Sequence, residues 1–102
     1  MTQQDAINEL RRMLPTEDIL CQLAEECSEL AQAALKLRRT MSVTNPARKT
    51  RAEAFDALIE ETADVLVCLR TLQATADNGY CIDVLIAEKM ERWRNHLKEA
   101  QV

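Results

Sequence analysis

Turn-forming residues are almost missing from this chain. Its 102 residues include one glycine, Gly79, and two prolines, Pro15 and Pro46. A many-stranded sheet needs a turn every few residues, so the scarcity argues against a β fold. It also excludes a glycine-rich loop that cradles phosphate through backbone N–H groups. Any phosphate bound here must be held by metal or by Lys and Arg. Aromatics are scarce too: Phe55, Tyr80 and Trp93 are the only three. The core is therefore expected to be aliphatic, with alanine-rich faces that let helices approach closely. One histidine, His96, and four cysteines with no C-x-x-C pair give no zinc-ligand spacing. Cys21, Cys27, Cys68 and Cys81 fall at or near apolar helix positions and read as buried, reduced thiols. No stretch is long enough to span a membrane and no N-terminal run resembles a signal peptide, so a cytoplasmic location is expected, with no membrane partner. A net charge of -4 with both signs interspersed leaves no electrostatic footprint for nucleic acid. The one dense basic cluster, Arg48, Lys49 and Arg51, reads as a solvated loop, with anion contact as the alternative.

What is present is helical periodicity. Apolar residues make up 47% of the chain, which suits one globular domain over residues 1–102, near the small end for a self-sufficient core. The expected fold class is all-α with four helices. The first covers about Asp5 to Leu14 and stops before Pro15. The second is capped by Thr16, carries Glu17 and Asp18 in its first turn, and runs to about Arg39. The third begins either at Pro46, with Asn45 as cap, or at Thr50, where Thr50 and Glu53 match a capping box. It is expected to end at Asp77-Asn78-Gly79, and the fourth to cover about Tyr80 to Glu99.

The chemistry-bearing pattern is a pair of acidic motifs, Glu25-Glu26-Cys27-Ser28-Glu29-Leu30 and Glu60-Glu61-Thr62-Ala63-Asp64-Val65. Each sets one carboxylate three residues after another, Glu26 with Glu29 and Glu61 with Asp64. That spacing places both on one helix face, close enough to grip a single ion. At about 100° per residue, the second helix's apolar arc holds Ile19, Leu20, Leu23, Cys27, Leu30, Ala31, Ala34 and Leu37, with Glu26 at its edge. Gln22, Glu29 and Ala33 lie just beyond, and Glu25, Gln32 and Lys36 further toward solvent. The third helix's arc holds Ala54, Leu58, Val65, Cys68, Leu69 and Leu72, with Ala57, Phe55 and Leu66 at its flanks. Glu61 lies inside that arc and Asp64 at its boundary, while Glu60 faces outward. A glutamate among aliphatic side chains is costly unless paired or metal-bound. Arg70 is the nearest cation in sequence but points to the opposite side of the helix. Four carboxylates brought together repel one another, and oxygen-only sites suit hard divalent ions, Mg²⁺ or Mn²⁺. A solvated acidic face is the plainer alternative for either pair alone.

Glu25-Glu26-x-x-Glu29-Leu30 followed by Glu60-Glu61-x-x-Asp64-Val65-Leu66 resembles the signature of the MazG-like all-α nucleoside triphosphate pyrophosphohydrolases, a superfamily that includes the dimeric dUTPases and dCTPases. Lys89 and Arg92, in Lys89-Met90-Glu91-Arg92-Trp93, resemble the basic element of that family's last helix. The resemblance runs from about Leu20 to Trp93. It implies hydrolysis of a nucleoside triphosphate, a deoxynucleotide foremost, to the monophosphate and pyrophosphate, in house-cleaning of the nucleotide pool. By the same resemblance, Glu26, Glu29, Glu61 and Asp64 would hold Mg²⁺, with Mn²⁺ as substitute. Lys89 and Arg92 would bind phosphate, and Glu25 or Glu60 would activate the water. Gln22, one turn before Glu26, is a candidate for the base or sugar, its alternative being an ordinary polar surface residue. No tryptophan lies near the first motif, so the base pocket falls to aliphatic groups, to Phe55, Tyr80 or Trp93, or to a neighbouring subunit.

A di-iron carboxylate bundle needs Glu-x-x-His motifs, and His96 stands far from both acidic pairs. A non-catalytic helical module, sensing nucleotides or binding a partner, is the alternative to an enzyme. Ile59 and Leu66 extend the third helix's apolar arc beyond what one partner helix buries. A four-helix bundle-like protomer assembling into a homodimer or a dimer of dimers is therefore expected, in agreement with the resemblance.

Overall fold

The computed structural model describes residues 1–73 and 82–101. Among these residues the chain is all-α, with α1 over Gln3–Met13, α2 over Thr16–Arg39, α3 over Arg51–Thr71 and α4 over Ile82–Ala100, and without strands.

Local chemistry sets the helix ends. α1 begins before the expected Asp5 because Thr2 and Asp5 form a capping box. The Asp5 N–H donates to Thr2 Oγ1 at 3.1 Å, and the Thr2 N–H donates to Asp5 Oδ2 at 2.9 Å. α2 departs from expectation at its start, where Thr16 is already helical. Pro15 occupies the cap position without a side-chain hydrogen bond, and its carbonyl accepts from the Asp18 and Ile19 N–H groups. Of the two starts open for α3, Thr50 is realised. Its hydroxyl oxygen accepts from the Glu53 N–H at 3.2 Å, while Glu53 Oε1 accepts from the Thr50 N–H at 3.2 Å. These bonds hold the Asp5 and Glu53 carboxyls below their ordinary range. α3 stops short of the expected Asp77-Asn78-Gly79: it gives way at Leu72, and Gln73 follows in the left-handed region at φ 59°, which a helix cannot continue. The expected stop at Asp77-Asn78-Gly79, the expected start at Tyr80, and Cys81 all lie outside the described residues.

α2 and α3 form an antiparallel pair. Ala33 and Ala54 line one cleft near the loop end, Glu29 and Glu61 meet further along, and Glu26 lies near Cys68 beyond that. The buried and half-buried positions of α2 are Ile19, Leu23, Glu26, Leu30, Ala33 and Leu37, spaced alternately by four and three. On α3 the matching series is Ala54, Leu58, Glu61, Val65 and Cys68, continued by Leu72 at the C-cap, and Ala57, Leu69 and Thr71 are covered as well. The spacing is that of a coiled-coil seam, and on α2 it is narrower than the arc drawn from an ideal helix. Leu20, Cys27, Ala31 and Ala34 on α2, and Phe55 and Leu66 on α3, lie off the seam and are exposed. Of the cysteines expected to be buried, Cys68 is buried, whereas Cys21 and Cys27 are exposed. Glu26 and Glu61 both sit in the seam.

α1 lies against α3, where Ala6, Ile7 and Leu10 face Ala63, Leu66 and Val67 across a cavity of about 300 Å³. Arg70 Nη1 donates to Gln3 Oε1 at 3.1 Å, which turns that guanidinium away from the acids. The expected bundle is not closed within one chain. α4 buries no residue, and its stripe of Ile86, Met90, Trp93 and Leu97 is exposed. The radius of gyration is 17.5 Å, against about 13 Å for a compact domain of this length.

Thr50→Ala removes the hydroxyl that completes the α3 capping box. It is expected to lower stability by about 1 kcal/mol, read as an earlier urea midpoint at unchanged slope.

Candidate metal centre

The seam delivers the two acidic motifs to one place. Glu26 and Glu29 from α2 and Glu61 and Asp64 from α3 each offer a carboxylate oxygen, all within 4.8 Å of one another. Across the coordination shell of one divalent ion, ligand oxygens lie about 4–5 Å apart, so the four can converge on a single cation. Glu26 and Glu61 are half-buried, and Glu29 and Asp64 are exposed at the rim. The i and i+3 spacing produces this arrangement twice, with the first glutamate pointing into the seam and the second acid closing over it.

The buried pair carries the decisive detail. Glu26 Oε2 and Glu61 Oε2 are shielded from solvent, and neither has a hydrogen-bond partner. A carboxylate oxygen left bare in a protein interior costs the desolvation of a charged group with nothing returned. No cation of the described chain compensates, and a hard metal ion would satisfy both oxygens at once. The other oxygen of Glu26 is fixed in place: Gln22 Nε2 donates to Glu26 Oε1 at 2.7 Å. Gln22, a candidate for base or sugar contact, thus orients one of the four acids.

The electrostatics follow from crowding. The charge of Glu26 first, and that of Glu61 second, hold the Glu29 carboxyl above its ordinary 4.5, and desolvation adds to this. Burial pushes the Cys68 thiol up, with the charges of Glu26 and Asp64 adding to the effect. Cys68 is therefore a neutral thiol beneath the acids, and the donor set is made of oxygen, the chemistry of hard divalent ions.

The remaining candidates lie elsewhere. Glu25 and Glu60 are exposed and outside the cluster. Lys89 and Arg92 line a separate depression on α4 with Trp93 and His96, sharing no residue with the acidic site. The cations that do adjoin the acids are Lys36 and Lys49, which share a cleft of about 320 Å³ with Glu29 and Glu61. One sequence signal was available for Lys36: it follows Glu29 by seven residues, two turns along the same helix face. Lys49 precedes the α3 cap, and its approach to the acids is set by how the loop returns.

Compared with known proteins, no family model, no curated protein and no solved structure matches the chain. Fold and site define its class: among the described residues, an all-α protein of four helices with a cluster of four acids, Glu26, Glu29, Glu61 and Asp64, able to hold a metal ion.

Two outcomes are expected from the cluster. Because Glu29 keeps its proton to higher pH in the folded chain than in the unfolded one, its contribution favours folding at low pH. That contribution is lost as pH rises above 4.5 through the raised value. Metal-free Glu29→Gln should therefore gain melting temperature over the parent as pH rises toward neutrality, and Mg²⁺ should narrow the gap by stabilising the parent. Gln22→Ala should weaken metal affinity roughly tenfold, measured by titration calorimetry with Mg²⁺ or Mn²⁺.

Proposed function

We propose that this protein is a metal-dependent nucleoside triphosphate pyrophosphohydrolase that cleaves its substrate to the monophosphate and pyrophosphate. The observation that carries the proposal is the convergence of Glu26, Glu29, Glu61 and Asp64, with two buried carboxylate oxygens left without partners. Mg²⁺ is the proposed ion, and Mn²⁺ its substitute. Bound there, it would offset the charge of phosphate oxygens and orient them for attack by water. The chain's own residues divide the remaining work. Glu26 and Glu61 supply the buried ligands, Glu29 and Asp64 the rim ligands, and Gln22 holds Glu26 in its binding orientation. Glu25 and Glu60 are the acids next to the ligands in sequence and are proposed for water activation, acting from the solvent side. The resemblance of the doubled motif to the MazG-like enzymes supports the reaction type, and a deoxynucleotide is the proposed substrate.

The working unit is proposed to be a homodimer or a dimer of dimers. One chain leaves Phe55 and Ile59 on α3 about half exposed, at 50% and 53%, and Met90 and Trp93 on α4 at 64% and 68%. Apolar stripes of this length on two helices are the usual mark of contact with another chain. Such an assembly also provides the route by which Lys89 and Arg92, remote from the acids of their own chain, would serve a neighbour's site.

A panel of ribo- and deoxynucleoside triphosphates, assayed for pyrophosphate release with Mg²⁺, tests the reaction. Release of orthophosphate from a fresh triphosphate, without pyrophosphate, would overturn it. Nucleotide binding without turnover would assign a sensing module instead. Glu61→Gln is expected to abolish hydrolysis while raising the melting temperature in metal-free buffer, since it removes one buried, unpartnered charge. For assembly, light scattering at micromolar concentration should give a multiple of 11.6 kDa.

A further inference from the structure

The cleft beside the acids continues past them. Its wall runs from Glu29 and Glu61 to Lys36 and Lys49. A second cleft, of about 390 Å³, shares Lys36, Lys49 and Ala54 with the first and extends to Arg39 and Arg48. One continuous surface therefore passes from two of the four carboxylates, Glu29 and Glu61, to four cations. The cations come from two elements, the last turns of α2 and the loop that leads into α3.

Local structure explains some of these charges and not others. Lys36 and Arg39 lie in the last turn of α2, where a cation complements the negative helix end. Lys49 has no such reason. It stands next to the Thr50 cap, at the positive end of α3, where helix electrostatics disfavour a cation. Its charge does lower the Glu53 carboxyl, but as the last of the causes acting there, after the Thr50 hydrogen bonds. The side chains of Lys36 and Lys49 make no hydrogen bond or ion pair with the described residues, although Glu29 and Glu61 line the same cleft. Two ammonium groups lining one cleft repel each other, and an anion bound between them offsets that repulsion.

Resting on the metal-binding reading of the four acids, we infer that Lys36 and Lys49 form the seat of a condensed phosphate chain. Its inner end meets the metal at Glu29 and Glu61, and its outer charges fall between the two lysines. The seat belongs to a single protomer and does not use α4. Arg39 and Arg48 extend the positive surface outward, so the ligand class is a polyanion with at least two linked phosphates, longer than orthophosphate. The loop cluster around Arg48 and Lys49 is then an anion contact and not a solvated loop.

The test uses imidodiphosphate, which is not hydrolysed, titrated calorimetrically into the full chain with Mg²⁺ present. Wild type should bind it, and orthophosphate more weakly. The double variant Lys36→Ala/Lys49→Ala should bind imidodiphosphate at least about tenfold more weakly, as expected for lost charge-assisted contacts. Both side chains are exposed, so the fold should survive, as checked by circular dichroism and by an unchanged Mg²⁺-induced rise in melting temperature. Unchanged affinity in this variant, or loss confined to Lys89→Ala/Arg92→Ala, overturns the inference, as does a wild type that binds no imidodiphosphate. Pyrophosphate release by the wild type is scored separately. Turnover with an unaffected double variant removes the lysine seat alone, and lysine-dependent binding without turnover removes the catalytic proposal alone.

Discussion

Repulsion among four carboxylates at the α2–α3 seam is the constraint on which the rest of this structure depends. Their oxygens lie within 4.8 Å of one another, and two of them are buried without a partner. A seam built for stability alone would carry Leu or Ile at Glu26 and Glu61, since replacing buried charge by packed hydrocarbon is often stabilising. Apolar residues on either side hold the unfavourable pair in register. Ile19 and Leu23 precede Glu26, and Leu30, Ala33 and Leu37 follow it. On α3, Ala54 and Leu58 stand on one side of Glu61, with Val65, Cys68 and Leu72 on the other. The alanines near the loop end, Ala33, Ala54 and Ala57, leave room for the cleft that joins the acids to Lys36 and Lys49.

Sparse burial has consequences beyond the site. Among the described residues the buried apolar ones are Ile19, Ala33, Ala54 and Cys68, and no large side chain is fully buried. A core of that size contributes little hydrophobic stabilisation, while two helices bear exposed apolar stripes. A protomer with destabilising charge in its α2–α3 seam would gain stability from a cation that relieved the seam, and from any surface that covered α3 and α4. Both effects would act by mass action and would link stability to binding.

Much of the architecture is legible in the sequence. The Thr50 and Glu53 spacing marked one of the two starts open for α3, the one realised, and Pro15 separated α1 from α2. The pairing of Glu26 with Glu29 and Glu61 with Asp64 followed from helical spacing alone. Less legible were features that depend on a neighbour. An ideal helix gives a broad arc, which held Cys27 and set Phe55 and Leu66 at its flank; packing against one antiparallel partner leaves all three exposed. Thr2 with Asp5 carried a capping signal that helical periodicity, read from Asp5 onward, passed over.

What the sequence by itself determined is the set of helices, their caps, and the two acidic pairs, because each depends on residues within four positions along one chain. What only the tertiary structure decided is how those pairs meet, and with which cations. Glu26 and Glu61 are far apart in sequence and share a site because α2 and α3 run antiparallel in one register. Gln22 acts on Glu26 because their rotamers meet at 2.7 Å, which spacing permits but does not compel. Lys36 and Lys49 stand beside the acids while Lys89 and Arg92 do not, because the loop after α2 returns to the site and α4 leaves it. Such proximities are properties of packing between elements, and local periodicity carries no information about them.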